Sequence, residues 1–355
     1  MPNEFQKYQE LNINGCVVKQ RNLTDFKSSF EDEALLPFLE EWFSDDDYVE
    51  LKTSGSTGEP KVIRVKKNAM VASAKKTIGF FGLKPGMTAL LALPVSFVAG
   101  KLMVVRAMVA QMQLISVKPS VNPLVGLSVT IDFAAFTPMQ MAGIIENCPE
   151  QTNLLRKVIV GGGRVDERLN IKMQMMPFDA WETYGMTETL THVALRKING
   201  TGAQKSFLPL SGVSIAIDEH GCLTIDYPEI SHGTIKTNDV VELLTDGSFQ
   251  IIGRADNIIN SGGVKISPEL VEERISFLIE KPFVISSIPH SVYGERVVLV
   301  IEGEFFEYGN LEEKTGALLS RYEKPAKIFF LDTFPRTDSG KIKRFQIKEI
   351  LRGLT

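Results

Sequence analysis

Cysteine is scarce in this chain. Cys16, Cys148 and Cys222 lie far apart in 355 residues and form no C-x-x-C pair, which excludes a disulfide framework and a cysteine zinc site and fits a reducing, cytoplasmic setting. A basic excess is missing too. Lys and Arg number 39 against 43 Asp and Glu, a formal net charge of -4, so no overall positive field invites a nucleic-acid backbone or an anionic membrane surface. Long apolar runs are absent. The richest stretch, residues 87–110, is interrupted by Pro94, Lys101 and Arg106 before it nears the roughly 20 residues of a spanning helix. The start, MPNEFQKYQELN, carries no apolar signal-peptide region. No repeat and no low-complexity tract interrupts the chain. What remains is an ordinary globular composition, 44% hydrophobic and 23% charged, long enough for two cores.

Patterning divides that length. Leu35, Leu39, Trp42 and Phe43 recur at near-helical spacing within residues 28–43, and the acidic Asp45, Asp46 and Asp47 then mark a turn. Apolar runs at 88–93, 129–133 and 157–160 alternate with helix-length segments, the pattern of a largely parallel sheet covered by helices. After about Pro209 the texture changes. VSIAIDEHGCLTID and VVELLTDGSFQII each set a glycine-containing turn between two alternating runs, which predicts two hairpins. From about Asp256, Ser267 can cap a helix with Pro268 at its first position, Val271, Ile275 and Leu278 share a face, and strands at 283–288 and 297–301 follow. The expected fold class is α/β: a large N-terminal α/β domain with a β-rich subdomain, residues 1–255, and a small α+β C-terminal domain, residues 256–355.

Five segments carry chemistry. Thr53, Ser54, Gly55, Ser56, Thr57, Gly58, Glu59, Pro60 and Lys61 pack four hydroxyls, two glycines and a lysine into nine residues. Glycines let backbone N–H groups approach an anion, hydroxyls add donors without bulk, and the lysine adds a mobile charge. The spacing is not the G-x-x-x-x-G-K-[ST] of a Walker loop. Downstream come Tyr184-Gly185-Met186-Thr187-Glu188-Thr189, then Thr237-Asn238-Asp239, then Gly253-Arg254-Ala255-Asp256 with Ser261-Gly262-Gly263, and last Pro335-Arg336-Thr337-Asp338-Ser339-Gly340-Lys341. Taken singly, each is an ordinary strand end, turn or solvated basic run.

Taken in this order, they resemble the signature elements of the adenylate-forming superfamily, which contains acyl-CoA synthetases, peptide-synthetase adenylation domains and luciferases. The resemblance covers residues 51–344, with Asn238 standing where glycine is usual. It implies an ATP-dependent, AMP-forming ligase that uses Mg2+ and hands its acyl group to CoA. By that resemblance Thr53 to Gly58 and Lys61 cradle phosphates, Gly162 within Gly161-Gly162-Gly163 floors the adenine and acyl pocket, and Tyr184 stacks on adenine. Thr187 contacts phosphate, Glu188 helps hold Mg2+, Asp239 accepts the ribose hydroxyls, and Arg254 contacts ribose or phosphate. Asp256 is the pivot between domains, Gly262 and Gly263 border the thiol tunnel, and Lys341 drives adenylation.

The chain reaches its phosphate loop after about 50 residues, so a shortened N-terminal subdomain is expected. Short members with this layout, and the stretch RADNIINSGGVKISPE in particular, look like o-succinylbenzoate–CoA ligases of menaquinone synthesis. An aryl substrate with two carboxylates needs one of them neutralised away from the reaction. Residues 94–101 resemble the family's acyl-pocket element, with Phe97 where histidine is usual. Arg106, six residues after Gly100, offers a two-pronged donor for that second carboxylate, with Lys101 the weaker candidate. Arg106 is equally readable as a helix residue that snorkels, and His192 as a packed histidine. A ligase for another aryl or acyl acid, a noncatalytic nucleotide-binding relative and an ADP-forming phosphotransferase are the rival readings.

Overall fold

The computed structural model describes residues 3–26, 32–52, 62–231, 233–304, 310–337 and 342–354. The nine-residue phosphate motif at 53–61 and the segment 338–341, with Lys341, lie outside them. The alternating texture of the first half forms one nine-stranded sheet. Six neighbouring strands run parallel in the order Asp179–Gly185, Leu155–Val160, Ile131–Phe136, Thr88–Leu91, Gln113–Ser116 and Leu11–Ile13. Antiparallel strands extend both edges: His192–Lys197 and Leu208–Pro209 on one side, Cys16–Val18 on the other.

Side chains alternate along a strand, so each parallel strand feeds two cores. Ala89, Leu91, Phe133 and Ala135 pack with Met70, Val71, Leu102 and Val105 of the helices Lys67–Phe81 and Val98–Ala110. Leu90, Ala134, Phe136 and Val158 pack with Met141, Ile144, Leu169 and Met173 of Pro138–Asn147 and Glu167–Gln174. Helix Val98–Ala110 is buried on every side from Leu102 to Met108, which is why its sequence reads as an apolar run and not as a stripe. The predicted helix at 28–43 is observed as Leu35–Phe43.

Both predicted hairpins form within a four-stranded antiparallel sheet, Ser214–Ile217, Cys222–Asp226, Ile235–Leu243 and Phe249–Arg254. Their turns place Gly221 and Gly247 at φ of +81° each, a backbone region glycine enters without steric cost. A third sheet joins Val264–Ile266, Ile259–Ser261, Gly294–Glu302 and Phe283–His290 in that order, with Ile328–Leu331 parallel to Gly294–Glu302. It has its own apolar clusters, one around Val271, Ile275 and Leu299 and one around Val298, Ile347 and Leu351. Ser267 caps helix Pro268–Ile275 by accepting from the Leu270 N–H at 3.4 Å, and it donates to the Ile252 carbonyl at 2.7 Å. Among the described residues no helix is long and apolar enough to cross a membrane.

Two helical glycines should respond oppositely to alanine. Gly79 is exposed in helix Lys67–Phe81, and a Cβ there would have nothing within 4 Å; Gly79→Ala should stabilise by about 0.5–1 kcal/mol through helix propensity alone. A Cβ on Gly100 would stand 2.3 Å from the Pro94 carbonyl oxygen, so Gly100→Ala should destabilise by about 1–3 kcal/mol. Denaturation midpoints of the two variants check the pair of signs, and a stabilised Gly100→Ala would contradict the packing of the helix entrance.

Candidate functional site

In open α/β sheets, ligand sites gather beyond the carboxyl ends of the parallel strands. Three of the segments singled out in the sequence follow such ends. Pro94 to Lys101 comes after Thr88–Leu91, Gly161 to Gly163 after Leu155–Val160, and Met186 to Thr189 after Asp179–Gly185. The strand pair Tyr48–Lys52 and Val62–Lys66, with Lys52 opposite Val62, carries the two ends of the phosphate motif.

Local sterics explain the glycines on this edge. A Cβ on Gly161 would stand 2.0 Å from Thr183 Oγ1, and Gly162 sits at φ +77°. Gly185 is closed off by main chain, because its Cβ would meet the Thr191 carbonyl oxygen at 2.2 Å. The chain turns back there through the short helix Thr187–Thr189 and through Leu190 at φ +61°. Buried Thr189 accepts from the Met186 N–H at 3.0 Å and donates to the Thr191 carbonyl at 2.7 Å. The return leaves Thr187 half-buried and Glu188 exposed.

Tyr184 points the other way. Its ring, 8% exposed, lies edge-on to Phe249 with centroids 5.2 Å apart and has Phe207 at 6.0 Å. Its hydroxyl donates to Asp239 Oδ2 at 2.6 Å. Burial and the Asp239 charge both push the phenol's pKa far upward, so the hydroxyl stays a donor. Asp239 lies opposite Arg254 in the strand register, and Arg254 Nη1 stands 3.4 Å from Asp239 Oδ1. Arg254 also grips Asp256 with two donors, Nε and Nη2, each at 3.0 Å, and this pairing, the largest influence, raises its pKa. Tyr184, Asp239, Arg254 and Asp256 thus form one connected network drawn from three separate motifs. Asn238 is exposed and does not adopt a positive φ, so the position makes no demand for the glycine usual there.

Gly262 and Gly263 are the two central residues of a hairpin whose flanking pair is Ser261 and Val264, at φ +60° and +82°. A two-residue turn of this hand needs positive φ at both positions. Next to it, Asn257 donates to Glu269 Oε1 at 2.6 Å.

Arg106 is 2% exposed on the fully buried helix. Its Nη2 donates to Thr191 Oγ1 at 2.9 Å, and among the described residues its Nε has no partner. Among the described residues no carboxylate pairs with it, and burial lowers its pKa to about 10. Beside it His192 is buried as well, with Nδ1 3.2 Å from Thr191 Oγ1 and Nε2 3.2 Å from Thr77 Oγ1. Burial first, and then the Arg106 charge, hold this imidazole well below its ordinary pKa. Lys101 is engaged elsewhere: Nζ donates to the Glu50 carbonyl at 2.6 Å, lies 3.5 Å from Glu41 and sits over the Phe38 ring. Phe97 is half-buried at the N-cap of the same helix. Thr77 and Thr191 were not picked out in the sequence. Thr77 is 115 residues from His192, and nothing local marks it.

No group of three or more His, Cys, Asp or Glu that could hold a metal occurs among the described residues. Mg2+ keeps several waters and takes one or two carboxylates together with substrate phosphates, and the exposed Glu188 offers a carboxylate at this strand end. Asp239 keeps acceptor oxygens oriented by Tyr184 and Arg254.

Comparisons with known proteins place the chain in a family. The family model of the AMP-binding enzyme matches residues 8–225. The 2-succinylbenzoate–CoA ligase of Lactococcus lactis is 27% identical over 321 residues, covering 84% of this chain and 70% of that protein. Its counterpart from Bacillus subtilis is 26% identical, with 85% and 68% covered. Among solved structures, an acyl-CoA synthetase (AMP-forming)/AMP-acid ligase II-like protein from Dyadobacter fermentans is 37% identical and superposes with a TM-score of 0.61 over 89% of this chain and 93% of that one. The fold is shared with the o-succinylbenzoate–CoA synthetase of Bacillus subtilis solved with ATP and magnesium, at a TM-score of 0.70, 23% identity and 84% and 69% coverage. With a family model matched over more than half its length, the chain belongs to the AMP-binding enzyme family.

Proposed function

We propose that this AMP-forming acid–CoA ligase converts o-succinylbenzoate, ATP and CoA to o-succinylbenzoyl-CoA, AMP and pyrophosphate. One observation supports the nucleotide half of that reading above others: Tyr184 and Arg254, from motifs far apart in the chain, meet on the carboxylate of Asp239. A carboxylate held by two fixed donors keeps its remaining lone pairs directed, as recognition of two neighbouring hydroxyls requires.

The chemistry follows from what a carboxylate lacks. Its oxygens are poor leaving groups, so the acid attacks the α-phosphorus of ATP, pyrophosphate departs, and an acyl-adenylate results. The nucleophile is already ionised and needs no general base; positioning and charge neutralisation do the work. On this reading Lys341 sits between carboxylate and α-phosphate, and the hydroxyls and N–H groups of 53–58 with Lys61 balance the leaving group. Thr187 contacts phosphate, Gly162 floors the adenine pocket, and Tyr184 stacks on the adenine. Mg2+, when bound, neutralises phosphate charge, with Glu188 as its protein ligand. In the second step the CoA thiol attacks the mixed anhydride and AMP leaves. Residues 256–355, as a lid pivoting at Asp256, would then bring Gly262 and Gly263 to the thiol path.

For the acid, Arg106 anchors the carboxylate that does not react. A buried guanidinium with one hydroxyl partner and an idle Nε is poorly compensated, and a carboxylate supplies the two-pronged acceptor that it lacks. Lys101, held by Glu41 and Glu50, is the weaker candidate. The second reading, a ligase for another aryl or acyl acid, rests on Phe97.

Three tests bear on these proposals. A panel of acids assayed for pyrophosphate and AMP release should show the highest kcat/KM with o-succinylbenzoate; ADP as product would rule out adenylation, and preference for a monocarboxylate would move the assignment to the second reading. Lys341→Ala should abolish adenylate formation yet spare thioester formation from preformed adenylate, and equal loss of both half-reactions refutes that division. Arg106→Leu should raise the KM for o-succinylbenzoate by about thirtyfold or more while the ATP KM holds. Its melting temperature should stay level or rise, because an uncompensated buried charge is replaced by a hydrocarbon.

A further inference from the structure

The hydroxyl and imidazole groups behind Arg106 form a chain that one arrangement of hydrogens satisfies throughout. Thr77 O–H donates to the Ser73 carbonyl at 3.5 Å. The tautomer that gives every one of these protons an acceptor within the chain puts the imidazole proton on Nε2, facing Thr77 Oγ1 across 3.2 Å. A neutral imidazole with its proton on Nε2 has a bare Nδ1. Nδ1 therefore accepts the Thr191 hydroxyl proton at 3.2 Å. With its hydrogen turned toward the ring, Thr191 Oγ1 presents lone pairs to Arg106 Nη2 at 2.9 Å. Thr77, Arg106 and His192 are all buried, so little water competes for these bonds. The same burial, with the Arg106 charge, keeps the imidazole neutral.

We propose that Thr77 and His192 are positioning residues for acid selectivity, acting through Thr191 to aim the Arg106 guanidinium at the non-reacting carboxylate of the substrate. The inference rests on the reading of Arg106 as that carboxylate's anchor. It adds a requirement that reading does not make: an acceptor at the Nδ1 position that turns the Thr191 hydroxyl. A second carboxylate would then find Nε and the remaining fork already oriented, which is how preorganisation lowers the cost of binding.

The test compares Thr77→Val, His192→Leu and His192→Asn in the full-length enzyme. The probes are o-succinylbenzoate and its two monocarboxylate analogues, each lacking one carboxyl group. Asparagine keeps an acceptor oxygen near the place of Nδ1, whereas leucine removes both ring contacts. Thr77→Val and His192→Leu should raise the KM for o-succinylbenzoate about tenfold, the scale of one hydrogen bond to a charged group. Their kcat, ATP KM and kinetics with the better monocarboxylate should stay within about twofold of the parent, and His192→Asn should recover most of the loss. An unchanged o-succinylbenzoate KM in His192→Leu overturns the proposal, as does a loss shared equally by ATP or by the monocarboxylate. Should His192→Leu fail to fold, Thr191→Val against Thr191→Ser asks the same question, since serine alone keeps the hydroxyl. Arg106→Leu separates the two levels. If it also leaves the acid KM unmoved, the anchor reading has failed; if it raises that KM while the relay variants do not, only the positioning role has.

Discussion

A carboxylate withdrawn from water must be met by donors, and Asp239, whose side chain is 14% exposed, draws its donors from across the molecule. The Tyr184 hydroxyl comes from the end of the parallel sheet, and Arg254 from the facing strand of the antiparallel sheet. The Arg254 contact is set by strand register, whereas the Tyr184 contact forms only when the two sheets are docked through the cluster of Tyr184, Phe207, Leu223, Val241 and Phe249. The apolar packing and the polar site are therefore one constraint. Arg254 carries it onward, because the guanidinium that touches Asp239 also clasps Asp256, where the third sheet's segment begins.

Close backbone approach is the second constraint on the same edge. Gly161 and Gly185 admit Thr183 and Thr191 at distances no side chain would allow, and the return after Tyr184 brings Thr191 and His192 back beside Arg106. A site at the carboxyl ends of parallel strands depends on such returns, since each loop must project polar groups without burying unpaired main chain. Thr189, bonded to Met186 and Thr191, performs that satisfaction here.

Local chemistry was legible in the sequence where a residue's own backbone decides the outcome. Gly221 and Gly247 marked hairpins because positive φ is a property of single residues, and Ser267-Pro268 marked a helix start because the cap bond spans three residues. Order along the chain made the Tyr184, Asp239 and Arg254 segments readable as one constellation. Their distances were not readable, because Tyr184 and Asp239 are 55 residues apart and meet only through sheet docking. The partners of Arg106 and Lys101 were hidden for a related reason. On a helix buried all round, periodicity carries no information about which neighbour each charge finds, and the structure gives Lys101 to Glu41 and Arg106 to Thr191. The Gly262-Gly263 pair shows the converse case, where the structural demand of a two-residue turn is sufficient for both glycines.

Arg106 then poses an energetic question that the fold alone does not answer. A guanidinium buried without a carboxylate among the described residues costs free energy, and an apolar residue would suit the surrounding Met103, Val104, Ala107 and Met108 better. A chain of hydroxyls and one imidazole behind it adds further buried polar atoms, and the Ser73 hydroxyl has no partner among the described residues. Groups of this kind usually persist where something outside the polypeptide completes them. A substrate carboxylate would complete this one, converting an unfavourable charge into a paired one in a site where little water screens the attraction. Under the proposed anchoring role, the cost borne by the free protein and the selectivity gained on binding would share one origin: a guanidinium oriented, desolvated and incomplete before the acid arrives.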